Sequence, residues 1–145
     1  RPAPETEQTL GISYRPLEAL LGECEILSLH APLTPETTHM INARTLTMMD
    51  KNAILVNTAR GELIDEKALI EALRSGAIAG AGLDVFATEP LDPDSPLRAM
   101  DNVILSPHIA GSTLNNMFSR AIRIKKNLDA FLTGGEIAKA DIVVG

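Results

Sequence analysis

Four short, nearly continuous apolar runs, separated by amphipathic stretches, limit most strongly how this chain can fold. Ile26-Leu27-Ser28-Leu29, Ala53 to Val56, Ile78 to Val85 and Val103-Ile104-Leu105 are each bounded by polar, Gly or Pro residues. Runs this brief and this continuous are predicted as strands covered on both faces, the condition of a parallel sheet. The stretches between them carry helix ends. Pro16 opens Leu17 to Leu21, with Gly22 as its stop. Asn42 is placed to cap Ala43 to Met49. Asp65 is placed to cap a helix to Ser75 with Ala68, Leu69, Ala72 and Leu73 on its apolar side, and Gly76 ends it. The longest helix starts at Ser112 or Thr113, keeps Leu114 to Leu132 mostly to one apolar face, and stops at Gly134-Gly135. Strand alternating with helix specifies an α/β fold with a parallel sheet.

Composition narrows the partners. Hydrophobic residues make up 45% of the 145 and charged residues 22%, a globular balance that allows one sizeable core. No apolar run approaches the roughly 20 residues that span a bilayer, so no membrane partner is expected. Arg1-Pro2-Ala3-Pro4-Glu5 lacks the apolar centre of a secretion signal. A lone Cys24 has no internal disulfide partner, which fits a reducing cytoplasm. A net charge of −6, no basic run longer than Lys125-Lys126, and one Tyr with no Trp argue against a nucleic-acid surface. No His, Cys and carboxylate spacing resembles a zinc motif, so no metal is expected.

In an open parallel sheet, ligands bind beyond the carboxyl ends of the strands. That rule selects His30-Ala31-Pro32, then Asn57-Thr58-Ala59-Arg60-Gly61, then Asp84 with Glu89-Pro90, then Ser106-Pro107-His108-Ile109-Ala110-Gly111. One arginine, two carboxylates and one or two histidines thus converge on one edge. Singly, each has an ordinary reading. Arg60 can bond its own loop, Glu89 can be a solvated carboxylate, Asp84 a turn-former, and His108 a packing residue. His30 and His39 are read only as loop residues.

The same segments resemble the D-isomer-specific 2-hydroxyacid dehydrogenases. The resemblance rests on His30-Ala31-Pro32-Leu33-Thr34-Pro35-Glu36-Thr37, Leu55 to Asp65, Gly80-Ala81-Gly82-Leu83-Asp84-Val85-Phe86 running to Glu89-Pro90, and Leu105 to Gly111. Order and spacing agree too, with Glu89 29 positions after Arg60 and His108 19 after Glu89. It extends from about Leu17 to Leu132, and four linked motifs are far more specific than one glycine pattern.

The resemblance implies hydride transfer between NAD, with NADP possible, and a small 2-hydroxy or 2-oxo acid of the hydroxypyruvate, glyoxylate or 3-phosphoglycerate type. It implies that Arg60 holds the substrate carboxylate, His108 exchanges the proton, and Glu89 orients the imidazole. Asp84 would contact the nicotinamide end. Ala31, Pro32, Thr58, Ala59, Arg60, His108, Ala110 and Gly111 would line the cofactor. Arg1 would lie near the ribose end, where a 2′-phosphate would sit. A glutamine stands at the Glu89 position in formate dehydrogenases, which disfavours that activity, whereas phosphite oxidation keeps all three residues. A cofactor-sensing interaction protein on the same fold, or an inert fragment, are the competing readings. The likeness further implies a homodimer.

Residues 1–145 are read as a partial nucleotide-binding domain, with a core over 17–133 and a tail over 134–145 returning toward a substrate domain. The fold expected is a Rossmann-like doubly wound parallel sheet that is incomplete. The Gly-rich turn that seats a pyrophosphate is not found, since Gly80-Ala81-Gly82 lies inside a strand and opens no helix. With the first βαβ unit and the substrate domain absent from the sequence, Ile26 to Leu29 is expected to stand apart from the other three strands as the third of six.

Overall fold

A computed structural model describes residues 3–142. Up to His108 the chain forms one compact unit, and from Ile109 onward a second.

The first unit is built on four parallel strands, β1 (Ile26–Leu29), β2 (Ile54–Asn57), β3 (Gly80–Leu83) and β4 (Val103–Leu105). They lie in the order β1-β2-β3-β4, with Ile26 opposite Ile54, Ile54 opposite Gly80, and Ala81 opposite Val103. This corrects the expectation for Ile26 to Leu29, which pairs directly with β2. The physical reason lies in how a doubly wound sheet grows. Its second half adds consecutive strands to one side, so the strands from the fourth onward are sequential neighbours. The first recognised strand takes the fourth place in that order, not the third. Arg1, proposed near a ribose, lies outside the described residues.

Helices α1 (Pro4–Leu10), α2 (Leu17–Glu23), α3 (Ala43–Leu46) and α4 (Glu66–Ser75) complete this unit. Asn42 caps α3 through both halves of a capping box with Thr45, and Asp65 caps α4 through Ala68 N–H. Helix α4 buries Leu69, Ala72 and Leu73 and ends on a left-handed Gly76, as its sequence predicts. Gly22 does not stop α2, which runs through it to Glu23. Its backbone stays helical there, and a glycine is a stop only where the chain turns left-handed. Helix α1 lies outside the stretches predicted as helices from the sequence. Pro4 opens it and Glu7 accepts the Ala3 N–H at 3.0 Å, so local capping forms it without a buried face.

The core gathers Leu21, Leu27, Leu29, Leu55, Leu69, Leu83 and Leu97, each at most 5% exposed. Each such side chain contributes on the order of 1.5–3 kcal/mol by leaving water. Strands β3 and β4 are joined by a long loop with a single 3-10 turn, Pro96–Ala99, in place of a crossover helix. Glu89 rides on that loop. In the second unit, α5 (Leu114–Thr133) is capped by the Thr113 side chain on Asn116 N–H, and none of its residues is buried.

No helix among the described residues is long and apolar enough to cross a membrane, and no cluster of His, Cys and carboxylates among them is arranged to hold a metal.

Candidate active site

The carboxyl ends of β2 and β3 are locked together before any reactive group is placed. Asp84 N–H donates to the Asn57 carbonyl at 2.9 Å, carrying the β2–β3 pairing one step past the strand. Asn57 is fully buried. Its side-chain amide donates to the Arg60 carbonyl at 2.8 Å and its carbonyl oxygen accepts the Ala59 N–H at 3.0 Å. Both polar ends of one buried side chain therefore shape the turn that carries Arg60, as a buried amide requires. Gly61 follows, and its backbone lies against that of Phe86 so closely that no side chain fits between them.

His108 sits three residues beyond β4. Its Nδ1 lies 2.8 Å from Glu89 Oε2, and its backbone N–H donates to the Asp84 carbonyl at 2.8 Å. An ionised carboxylate can only accept, so Nδ1 carries the proton of that bond and Nε2 is the position open to proton exchange. The second oxygen of Glu89 accepts the Phe86 N–H at 3.1 Å. The His108 hydrogen bond, followed by that of the Phe86 amide, lowers the pKa of the Glu89 carboxyl, against smaller opposing effects from burial and the Asp84 charge. Glu89 therefore takes up a proton at lower pH than an ordinary glutamate. His108 has φ 54°, a left-handed backbone uncommon for a residue with a side chain.

The pair faces a cavity of about 680 Å³ whose walls include Phe86, Leu91, Arg98 and Leu105. Asp84, 3% exposed, directly follows β3, and the Ser106 hydroxyl donates to its Oδ1 at 2.5 Å. The structure thus joins Asp84, Glu89 and His108 in one bonded cluster. Arg60 stands on the adjacent strand end, exposed, with Nη1 donating to the Ala59 carbonyl at 2.6 Å. It is not a wall of the cavity. Ala31 and Pro32 follow β1, and Thr58 and Ala59 follow β2, so these four share the same sheet edge. Ala110 and Gly111 belong to the second unit. His30 bonds Ser28 at 2.9 Å and His39 lies in the loop before α3.

Two contributors carried no assigned role in the sequence reading, Asn57 and Ser106. Each is a polar residue at the last position of, or just beyond, an apolar strand, and that placement was the available signal.

The family model for the D-isomer-specific 2-hydroxyacid dehydrogenase NAD-binding domain matches residues 1–110. The chain belongs to that family. A glyoxylate reductase of Aeropyrum pernix is 52% identical over 130 residues, covering 90% of this chain and 39% of its own length. Among solved structures, a D-isomer-specific 2-hydroxyacid dehydrogenase from Xanthobacter autotrophicus Py2, in complex with NADPH and MES, is 44% identical with a TM-score of 0.72. That match covers 83% of this chain and 49% of the other. A formate dehydrogenase from Granulicella M. aligns with a TM-score of 0.90 at 33% identity, covering all of this chain and 39% of its own. The chain therefore spans well under half the length of the curated relatives it matches.

The residues of this dehydrogenase domain suit part of a dinucleotide. Ala31, Pro32, Thr58 and Ala59 are small or ring-constrained residues that are not buried, and Asp84 is a buried carboxylate at the neighbouring strand end. Small side chains and one hydrogen-bond acceptor fit a flat nicotinamide ring with its carboxamide. Among the described residues no strand-to-helix turn rich in glycine offers itself to the pyrophosphate.

Proposed function

We propose that the protein carrying this chain is an NAD(P)-dependent oxidoreductase acting on a small 2-hydroxy or 2-oxo acid. The observation that carries this reading is the His108–Glu89 pair, with Nδ1 engaged and Nε2 left for proton exchange, facing a cavity beside Asp84 at the carboxyl edge of the sheet. In reduction, His108 Nε2 gives a proton to the 2-oxo oxygen, and in oxidation it takes the hydroxyl proton. Histidine as a residue type serves both directions because imidazole exchanges protons near neutral pH. Glu89 keeps the ring oriented. Arg60 binds the substrate carboxylate, for which its planar fork is shaped, once it exchanges the Ala59 carbonyl for that partner. Ala31, Pro32, Thr58, Ala59 and Asp84 hold the nicotinamide half, which supplies the hydride when bound.

Glyoxylate and hydroxypyruvate are the substrates favoured, given the glyoxylate reductase among the relatives. Glu89 itself disfavours formate. We assign residues 17–133 to the nucleotide-binding domain. The whole protein is proposed to be a cytoplasmic homodimer, with no nucleic-acid or membrane partner.

The test is consumption of NADH and of NADPH, followed at 340 nm, with glyoxylate and with hydroxypyruvate. Turnover on either acid supports the reading. Binding of NADH without turnover on any 2-oxo acid would replace it with a cofactor-sensing role.

Glu89→Gln is expected to slow reduction about tenfold. The amide still accepts from Nδ1 but places no negative charge beside the ring. An undiminished rate of reduction would show that the Glu89 charge plays no part in the proton transfer.

A further inference from the structure

We infer that Ser106 is a positioning residue for the dinucleotide site, acting through Asp84. The inference rests on the dehydrogenase reading above. Ser106 is the first residue beyond β4, and its N–H donates to the Leu83 carbonyl at 2.9 Å, so the β3–β4 pairing continues through it. That register brings its hydroxyl across to Asp84 Oδ1 at 2.5 Å. Two residues later, His108 N–H returns to the Asp84 carbonyl at 2.8 Å. Ser106-Pro107-His108 thus grips Asp84 twice, once at its carboxylate and once at its backbone.

The arrangement has two consequences. A carboxylate that is 3% exposed needs compensating donors, and a charge-assisted bond from a hydroxyl is among the stronger ones available. The same stretch ends in the left-handed His108, so the orientation of the Asp84 side chain and the placement of the Glu89-bonded imidazole are set by one tripeptide. Pro107 between them stiffens it. Ser106 does not touch the reacting atoms. It determines where the carboxylate beside the nicotinamide end points.

The experiment uses the natural protein that carries this sequence, with Ser106→Ala, Ser106→Cys and Ser106→Thr. NADH affinity is read by fluorescence titration without substrate, KM for the 2-oxo acid and kcat by steady-state kinetics, and melting of the cofactor-free protein by calorimetry. Ser106→Ala and Ser106→Cys are expected to weaken NADH binding roughly tenfold, the scale of a lost hydrogen bond to a buried charged group. Both should leave KM for the 2-oxo acid within about twofold of the parent. Ser106→Thr, which keeps the hydroxyl, is expected to restore NADH affinity. If Ser106→Ala fails to fold, the size-matched Ser106→Cys carries the same comparison. A lowered melting temperature with unchanged NADH affinity would overturn the inference, as would Ser106→Thr binding no better than Ser106→Cys. A parent that binds NADH and turns over, with all three variants indistinguishable from it, overturns this inference alone. A parent that binds no NADH overturns the dehydrogenase reading as well.

Discussion

Replacing His108 by asparagine is expected to cut turnover of a 2-oxo acid by roughly 10²- to 10⁴-fold, the usual worth of a positioned acid–base group. NADH affinity should stay within about twofold. Asparagine is the informative choice because His108 occupies left-handed backbone at φ 54°. Asparagine tolerates that region better than most residues with a side chain, so the turn and its N–H bond to the Asp84 carbonyl are preserved. What is lost is the ring, and with it the proton at Nε2 and the partner of Glu89. A large fall in kcat with NADH binding intact locates the defect in proton transfer. Equal turnover in His108→Asn and the parent would sink the assignment of His108 as the acid–base residue. It would turn attention to Asp84 and Glu89, the other ionisable groups in the bonded cluster.

The second large effect is structural. Gly61→Ala is expected to destabilise the protein by at least about 3 kcal/mol, at or beyond the upper end of ordinary overpacking. A Cβ at position 61 would fall 2.0 Å from the Phe86 carbonyl carbon and 2.1 Å from its oxygen, with Ala87 N at 2.5 Å. Every obstacle is backbone, so no rotamer change relieves the clash. The turn carrying Arg60 must separate from the loop carrying Phe86 and Glu89, and Arg60 and the Glu89–His108 pair lose their common frame. Gly82→Ala is the control. There the nearest atom is Val56 Cγ2 at 3.9 Å, an ordinary contact, so stability should change by less than about 1 kcal/mol. Denaturant unfolding compares the two. Equal midpoints for both variants would mean that the Gly61–Phe86 contact does not hold the two loops together.

Much of this architecture is legible along the chain because its signals are local. Continuous apolar runs mark β1 to β4 to within two residues at most ends, and Asn42, Asp65 and Thr113 announce their helices by capping chemistry that needs only three neighbours. The exceptions are also local. Gly22 has the right identity for a stop but helical backbone, and α1 forms from end-caps with no apolar stripe to reveal it. The position of β1 is different in kind. Which strand lies beside which is a statement about residues 28 apart, such as Ile26 and Ile54, and no local signal specifies it.

The candidate site divides along the same line. Sequence by itself determined that an arginine, two carboxylates and a histidine follow successive buried strands, because strand ends can be read from periodicity and sheet chemistry collects at one edge. Only tertiary structure decided which of them meet. The register between β3 and β4 brings Ser106 to Asp84 and His108 back to the Asp84 carbonyl, and the loop without a crossover helix delivers Glu89 to Nδ1. The Gly61–Phe86 contact holds the Arg60 turn against that loop while leaving its guanidinium on the Ala59 carbonyl. These contacts join residues 19 to 25 positions apart, a placement that no local periodicity encodes.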